Sequence, residues 1–163
     1  ALYGFKPSVA PVRRREGHQP VYHLIHLTRK DIGVEAFFHS MADAREPWLL
    51  ATDDDYKEPY EASGQFTFGD VLSSERLVEV RVAGERSSGR EHLKRNILAL
   101  MEHEKLFMPI EHIPEILGEY AGICNRTDVG KALGELVREK KIVQRTADRY
   151  PTRRIYIFPP KAT

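Results

Sequence analysis

Apolar spacing between Leu93 and Phe158 switches from a helical to a strand-like period, with Pro and Gly at the joints, and this restricts the region to few architectures. Leu93, Ile97, Leu100 and Met101 fall on one face of a helix spanning about Arg90 to Glu104. Phe107-Met108-Pro109-Ile110 is too short and apolar for more than a brief extended segment. A second helix fits Glu111 to Tyr120, because Pro114 is tolerable in a first turn and Gly122 supplies a stop. Asn125 or Thr127 caps a third helix, which carries Val129, Leu133, Leu136 and Val137 on one face and ends near Lys140. Ile142–Thr146 and Arg154–Phe158 then form two strands around the turn-rich Ala147–Pro151.

Helices near 90–104, 111–121 and 125–140 followed by a basic hairpin make a winged helix-turn-helix over residues 88–163, so the fold class expected is α+β. In such modules the third helix lies in the major groove and reads base edges with residues near its N-terminus, while neighbouring elements grip phosphates. That places Arg126, Thr127 and Lys131 nearest the bases and Arg145, Arg149, Arg153 and Arg154 on the wing, with Lys94 and Arg95 of the first helix as further contacts. The outer face of the third helix also holds Asp128 and Glu135, which would repel phosphates, so a charge-balanced solvated face or a protein-docking surface competes with nucleic-acid contact. Lys140 and Lys141 have a structural reading too, as cations in the last turn of a helix.

Charge along the chain favours nucleic-acid contact. The net charge of +1 conceals an asymmetry: residues 1–84 carry 10 Lys/Arg against 13 Asp/Glu, whereas Asn125 to Lys161 holds 10 against 4. A local cluster of this kind attracts a polyanion although the whole chain is nearly neutral. The expected ligand is nucleic acid, DNA in preference to RNA.

Upstream, Leu2–Lys6 and Val21–Leu27 are rich in β-branched and aromatic residues and flank the basic Arg13–His18, which predicts two strands joined by a loop. Asp31 caps a helix to about Ala44, with Val34, Phe37, Phe38 and Met41 as its apolar face, and Arg45-Glu46-Pro47 ends it. Two strands alone are marginal in water, so these should add to a sheet, to a partner chain or to the following helix. Thr52–Gly64, with Asp53-Asp54-Asp55 and Pro59, reads as an exposed loop, and Phe66 to Val80 fits strand or helix equally. Glu85–Gly89 is a short polar break, which makes 51–87 a linker or irregular region.

No catalytic apparatus emerges, and no cofactor is expected in this chain. Cys124 is alone and reads as a buried hydrophobe in a reducing compartment. His23 and His26 are three apart on a strand and point to opposite faces, while His92, His103 and His112 lack close ligand spacing, so no metal site is expected. GxSxG, GxxxxGK[ST] and GxGxxG are absent. No apolar run spans a bilayer, and Ala1–Phe5 lacks a signal-peptide layout, which points to a cytoplasmic protein without membrane contact.

Three passages carry a family resemblance. Val21–Arg29 followed by Gly33–Phe37 and Met41–Ala44, then Arg95–Leu98, and finally Lys131–Val143 resemble the C-terminal portion of the three-Cys-motif partner proteins, a bacterial family with a methyltransferase-like domain followed by a winged helix domain. The resemblance implies that the strand-strand-helix segment of residues 1–50 is the end of a methyltransferase-like α/β domain and that the chain is the C-terminal piece of a longer protein, a fragment that positions substrate. The S-adenosylmethionine-type cofactor loop and any methyltransferase active site would then lie upstream of Ala1. It also implies a protein partner with three clustered cysteines. No functional residue is carried over, because the positions that would match are not present.

Overall fold

A computed structural model describes residues 4–12, 19–51 and 74–160. The architecture is α+β, with helices and two small antiparallel two-stranded sheets.

The first sheet pairs β1 (Lys6–Val12) with β2 (Tyr22–Thr28), in a register that sets Lys6 opposite Thr28 and Val12 opposite Tyr22. β1 starts later than the expected Leu2–Lys6. Its inner face is made by small residues, Ser8 and Ala10, both buried, so the strand is defined by alternation and not by bulk. Pro7 and Pro11 are tolerated because β1 is an edge strand. The loop expected at Arg13–His18, the acidic Asp53-Asp54-Asp55 and Phe66 to Leu72 lie outside the described residues.

α1 (Asp31–Asp43) packs across this sheet and buries Val34, Phe38 and Ala42, with Phe37 stacked at 5.0 Å on His26. Lys30 occupies the cap position that the sequence suggested for Asp31. Asp31 is instead the first helical residue and pairs with Lys6, anchoring the helix to β1. Residues 45–51 form a second helix, α2. Helical geometry resumes at once after a single bend at Ala44, and Pro47 is accommodated in its first turn.

The long helix α3 (Ser74–Met101) corrects the expectation of a break at Glu85–Gly89 and of an irregular stretch up to residue 87. The polar residues there are the partners that hold the helix to its neighbours. Arg45 Nε bonds Glu85 Oε2 at 2.8 Å, and Arg86 donates to the carbonyls of Ala42 at 2.9 Å and Ile123 at 3.2 Å. Glu85 is partly buried, which would raise its pKa, but the hydrogen bonds and charge of Arg45 and Arg81 outweigh that and lower it. Gly89 is buried where α3 meets Cys124 and Tyr120. A glycine that reads as a helix breaker in the sequence is there because the neighbouring elements come too close for a side chain.

The expected second helix is present in three pieces: a 3-10 turn at Pro109–His112, α4 (Ile113–Leu117) and a second 3-10 turn at Gly118–Tyr120. Pro114 does sit in the first turn of α4. Gly118 takes a φ of +51°, and Asn96 donates to the freed carbonyl of Ile116 at 3.0 Å, which ends the helix early. α5 (Arg126–Arg138) has Asn125 as its cap: the side chain accepts from the amides of Thr127 and Asp128, and Asp128 accepts in return from the Asn125 amide. Its buried face is Val129, Ala132, Leu133 and Leu136, and Lys140 closes it with a φ of +58°.

The second sheet pairs β3 (Val143–Gln144) with β4 (Tyr156–Ile157), shorter than the expected strands because residues 151–153 turn back as a 3-10 helix. Phe107 adds a bridge on the other side of β4, exchanging two backbone hydrogen bonds with Tyr156. One core unites these elements: Leu93, Ile97, Phe107, Ile116, Leu133, Leu136 and Tyr156 are all at most 1% exposed, and Val34 and Phe38 of α1 belong to the same cluster. Cys124 is fully buried in it, and burial, aided by the charge of Asp128, pushes its thiol up to about 12. That thiol stays protonated and acts as core packing. Among the described residues no helix is long and apolar enough to cross a membrane.

Candidate functional site

The N-terminal turn of α5 and the β3–β4 hairpin meet at one aromatic ring. The guanidinium carbons of Arg126, Arg149 and Arg153 lie over the Tyr150 ring at 4.7, 5.5 and 4.6 Å from its centroid. Local chain chemistry builds this arrangement. Asp148 accepts from the Tyr150 amide at 2.8 Å in an Asx-type turn, and Pro151 starts the 3-10 turn that returns Arg153 to the same ring. Thr152 is fully buried beneath it and donates to Glu35 Oε1 of α1 at 2.6 Å. The other oxygen of Glu35 lies 3.9 Å from Arg126, so a buried carboxylate of α1 underpins both α5 and the hairpin.

Not all the basic residues singled out in the sequence share this face. Thr127 and Lys131 are exposed on α5, in line with Gly134 and Arg138 at helical spacing. Arg145 is exposed beyond β3. Arg154 is committed within the hairpin, donating to the Asp148 carbonyl at 2.8 Å and to Gln144 Oε1 at 3.0 Å. Arg95 is exposed on α3, 3.2 Å from His92 Nδ1. Lys94 faces inward: its side chain is 11% exposed and lies 2.7 Å from Glu139, 3.2 Å from Glu91 and 3.5 Å from Glu135. Glu139 is 13 positions, roughly 20 Å, along the α5 axis from Arg126, so Lys94 locks α3 to the far end of α5.

The two carboxylates expected to spoil the outer face of α5 are elsewhere. Asp128 is 4% exposed, engaged in the cap and 3.9 Å from Arg86, while Glu135 leans towards Arg90 and Lys94 at 3.5 Å each. What α5 exposes is therefore the strip Thr127, Lys131, Gly134 and Arg138, with no acid in it. Sequence reasoning missed Tyr150. The signal was the run Arg149-Tyr150-Pro151-Thr152-Arg153-Arg154, in which an aromatic residue is interleaved with arginines.

No family model, curated protein or solved structure matches the chain. Among the described residues no three His, Cys, Asp or Glu side chains converge as a metal site would need.

The network at the far end of α5 has a pH signature. Hydrogen bonds from Lys141 and Lys94 pull Glu139 down to about 2, and the Glu139 carboxylate in turn raises Lys94 above its ordinary value. A carboxylate with a depressed folded pKa contributes stability that is complete above its ordinary value, near 4.3, and is lost as pH falls through the folded value. The difference in urea midpoint between the native chain and Glu139→Gln should hold steady between about pH 5 and 9 and shrink between about pH 4 and 2. An unchanged difference across that window would refute the assignment.

Proposed function

We propose that residues 88–163 form a winged helix-turn-helix module that binds DNA, with α5 as the recognition helix and the β3–β4 hairpin as the wing, in a chain that works in the cytoplasm. The observation that carries this reading is the acid-free strip Thr127, Lys131 and Arg138, adjoining the arginines gathered at Tyr150. An exposed face with excess positive charge over one edge of a compact unit is the electrostatic footprint of phosphate contact. In this reading Lys131 and Thr127 contact base edges, and Arg145, Arg149 and Arg153 contact backbone. Lys94, held among three carboxylates, is left out of the contact set.

Titrating a DNA duplex at several salt concentrations tests this. Each phosphate contact removed should flatten the slope of log affinity against log salt by about 0.9, so Arg145→Ala should lose that amount, and Arg145→Ala combined with Arg149→Ala about twice it. Absence of salt-dependent binding, or an unchanged slope in both variants, would sink the reading.

A second reading is favoured by the N-terminal sheet. Val9, Ile25 and Leu27 share its outer face and are 52%, 62% and 60% exposed, an apolar surface of the kind that a larger sheet-containing domain covers. In that reading the chain is the C-terminal part of a methyltransferase-like protein resembling the three-Cys-motif partner proteins, and the module positions substrate or docks a protein partner.

A further inference from the structure

We infer that Tyr150 and the guanidinium groups of Arg126, Arg149 and Arg153 form a binding site for a phosphoryl group. The inference deepens the nucleic-acid reading by naming the group that is bound. It rests on that reading for the source of the phosphate but not for the chemistry of the site. A ring has two faces, and three guanidiniums lie over this one, so at least two share a face. Each lies within 5.5 Å of the centroid. Riding about 3.5 Å above the ring plane, two on one face are within about 7 Å of each other. A phosphate accepting N–H bonds from both would stand about 4 Å from each guanidinium carbon, so a single group can bridge them.

The charge around the ring is unbalanced in the direction such a ligand would correct. Arg126 has Glu35 at 3.9 Å, but Arg149 and Arg153 have no ion-pair partner among the described residues. Asp148, next to Arg149 in the chain, is turned to the Tyr150 amide. Two like charges on one aromatic face repel, and the ring quadrupole offsets only part of that. An oxyanion between them removes the repulsion and turns a stacked pair into a fork of parallel donors. Arg126 thereby changes role. Folded onto Tyr150 and tethered to Glu35, it holds backbone and does not read a base, which leaves base contact to Thr127 and Lys131.

The test uses side-chain NMR of the full chain with inorganic phosphate at constant ionic strength. Saturable shifts are expected at the Nε–H groups of at least two of Arg126, Arg149 and Arg153 but not at that of Arg145, and Tyr150→Ala should weaken phosphate binding about tenfold. Tyr150 is half-buried and lies outside the core cluster, so its removal leaves the core intact, which amide spectra would verify. Shifts that are linear in phosphate, shared equally by Arg145, or unaltered in Tyr150→Ala would overturn the site. If a DNA duplex then competes phosphate away from these arginines, the source is the nucleic-acid backbone. If phosphate saturates the site and the duplex neither binds nor competes, the site stands with a small phosphoester as its ligand, and the nucleic-acid reading falls. If the duplex binds while phosphate never saturates, the site falls and that reading stands.

Discussion

Gly89→Ala should destabilise the fold by about 2 kcal/mol, although alanine is the better helix former. A Cβ at Gly89 would lie 2.5 Å from Cys124 Sγ and 2.6 Å from Tyr120 Cδ1, and Cys124 is fully buried with nowhere to retreat. Overpacking of this kind costs about 1–3 kcal/mol, occasionally more, against a helix-propensity gain of at most about 1 kcal/mol. Gly84, five residues earlier on the same helix with nothing within 4 Å of an added Cβ, is the control. Gly84→Ala should raise stability by about 0.5–1 kcal/mol. Urea unfolding measures both. Pairing Gly89→Ala with Cys124→Ala should recover part of the loss, since removing the sulfur opens room for the new methyl group. Strict additivity of the two changes would contradict the proposed clash.

The second large effect is expected at Glu35. Glu35→Ala removes a carboxylate that is 2% exposed, together with its 2.6 Å bond from Thr152, and leaves a fully buried hydroxyl without an acceptor. A charge-assisted bond contributes about 1.5–3 kcal/mol, and an orphaned buried donor adds its own desolvation cost, so a loss of about 2–4 kcal/mol is expected. Glu35→Gln retains an acceptor for Thr152 and should recover more than half of that. The Arg126 guanidinium would no longer be tethered in either variant. In an NMR comparison its ring-current shift over Tyr150 should weaken in both, while those of Arg149 and Arg153, which do not touch Glu35, should persist. Equal stability of the two variants would show that the carboxylate, and not the hydrogen bond to Thr152, carries the interaction.

Much of the local structure was legible in sequence. The helical spacing of Leu93, Ile97 and Met101 named residues that are at most 1% exposed, and Val129, Leu133 and Leu136 proved to be the buried face of α5. Asn125 and Thr127 were both recognisable as candidate caps, short side chains with an acceptor just before an apolar period, and the structure places Asn125 there with Asp128 completing the capping box. The misplaced elements have a common cause. Glu85–Gly89 looked like a break because polarity and a glycine disfavour an isolated helix, whereas the partners that reward them, Arg45, Ala42 and Cys124, are about 35 to 45 residues distant.

The candidate site divides in the same way. Its basic character is a matter of composition and was visible as the excess of Lys and Arg after Asn125. Which charges remain available was not visible, because neutralisation is a matter of distance between elements far apart in the chain. Lys94 meets Glu139 across 45 positions, and Thr152 meets Glu35 across 117.

Sequence by itself determined the apolar faces of α1, α3 and α5 and the sign of the charge on the C-terminal region, and narrowed the cap of α5 to Asn125 or Thr127, since each depends on residues within a few positions of one another. Only the tertiary structure decided that α3 runs unbroken through its polar stretch, that Asp128 and Glu135 turn away from the outer face of α5, and that three arginines gather on Tyr150. The physical reason is that a polar side chain takes its energy from whichever partner packing brings within about 3–4 Å, and the period of a pattern carries no information about that partner.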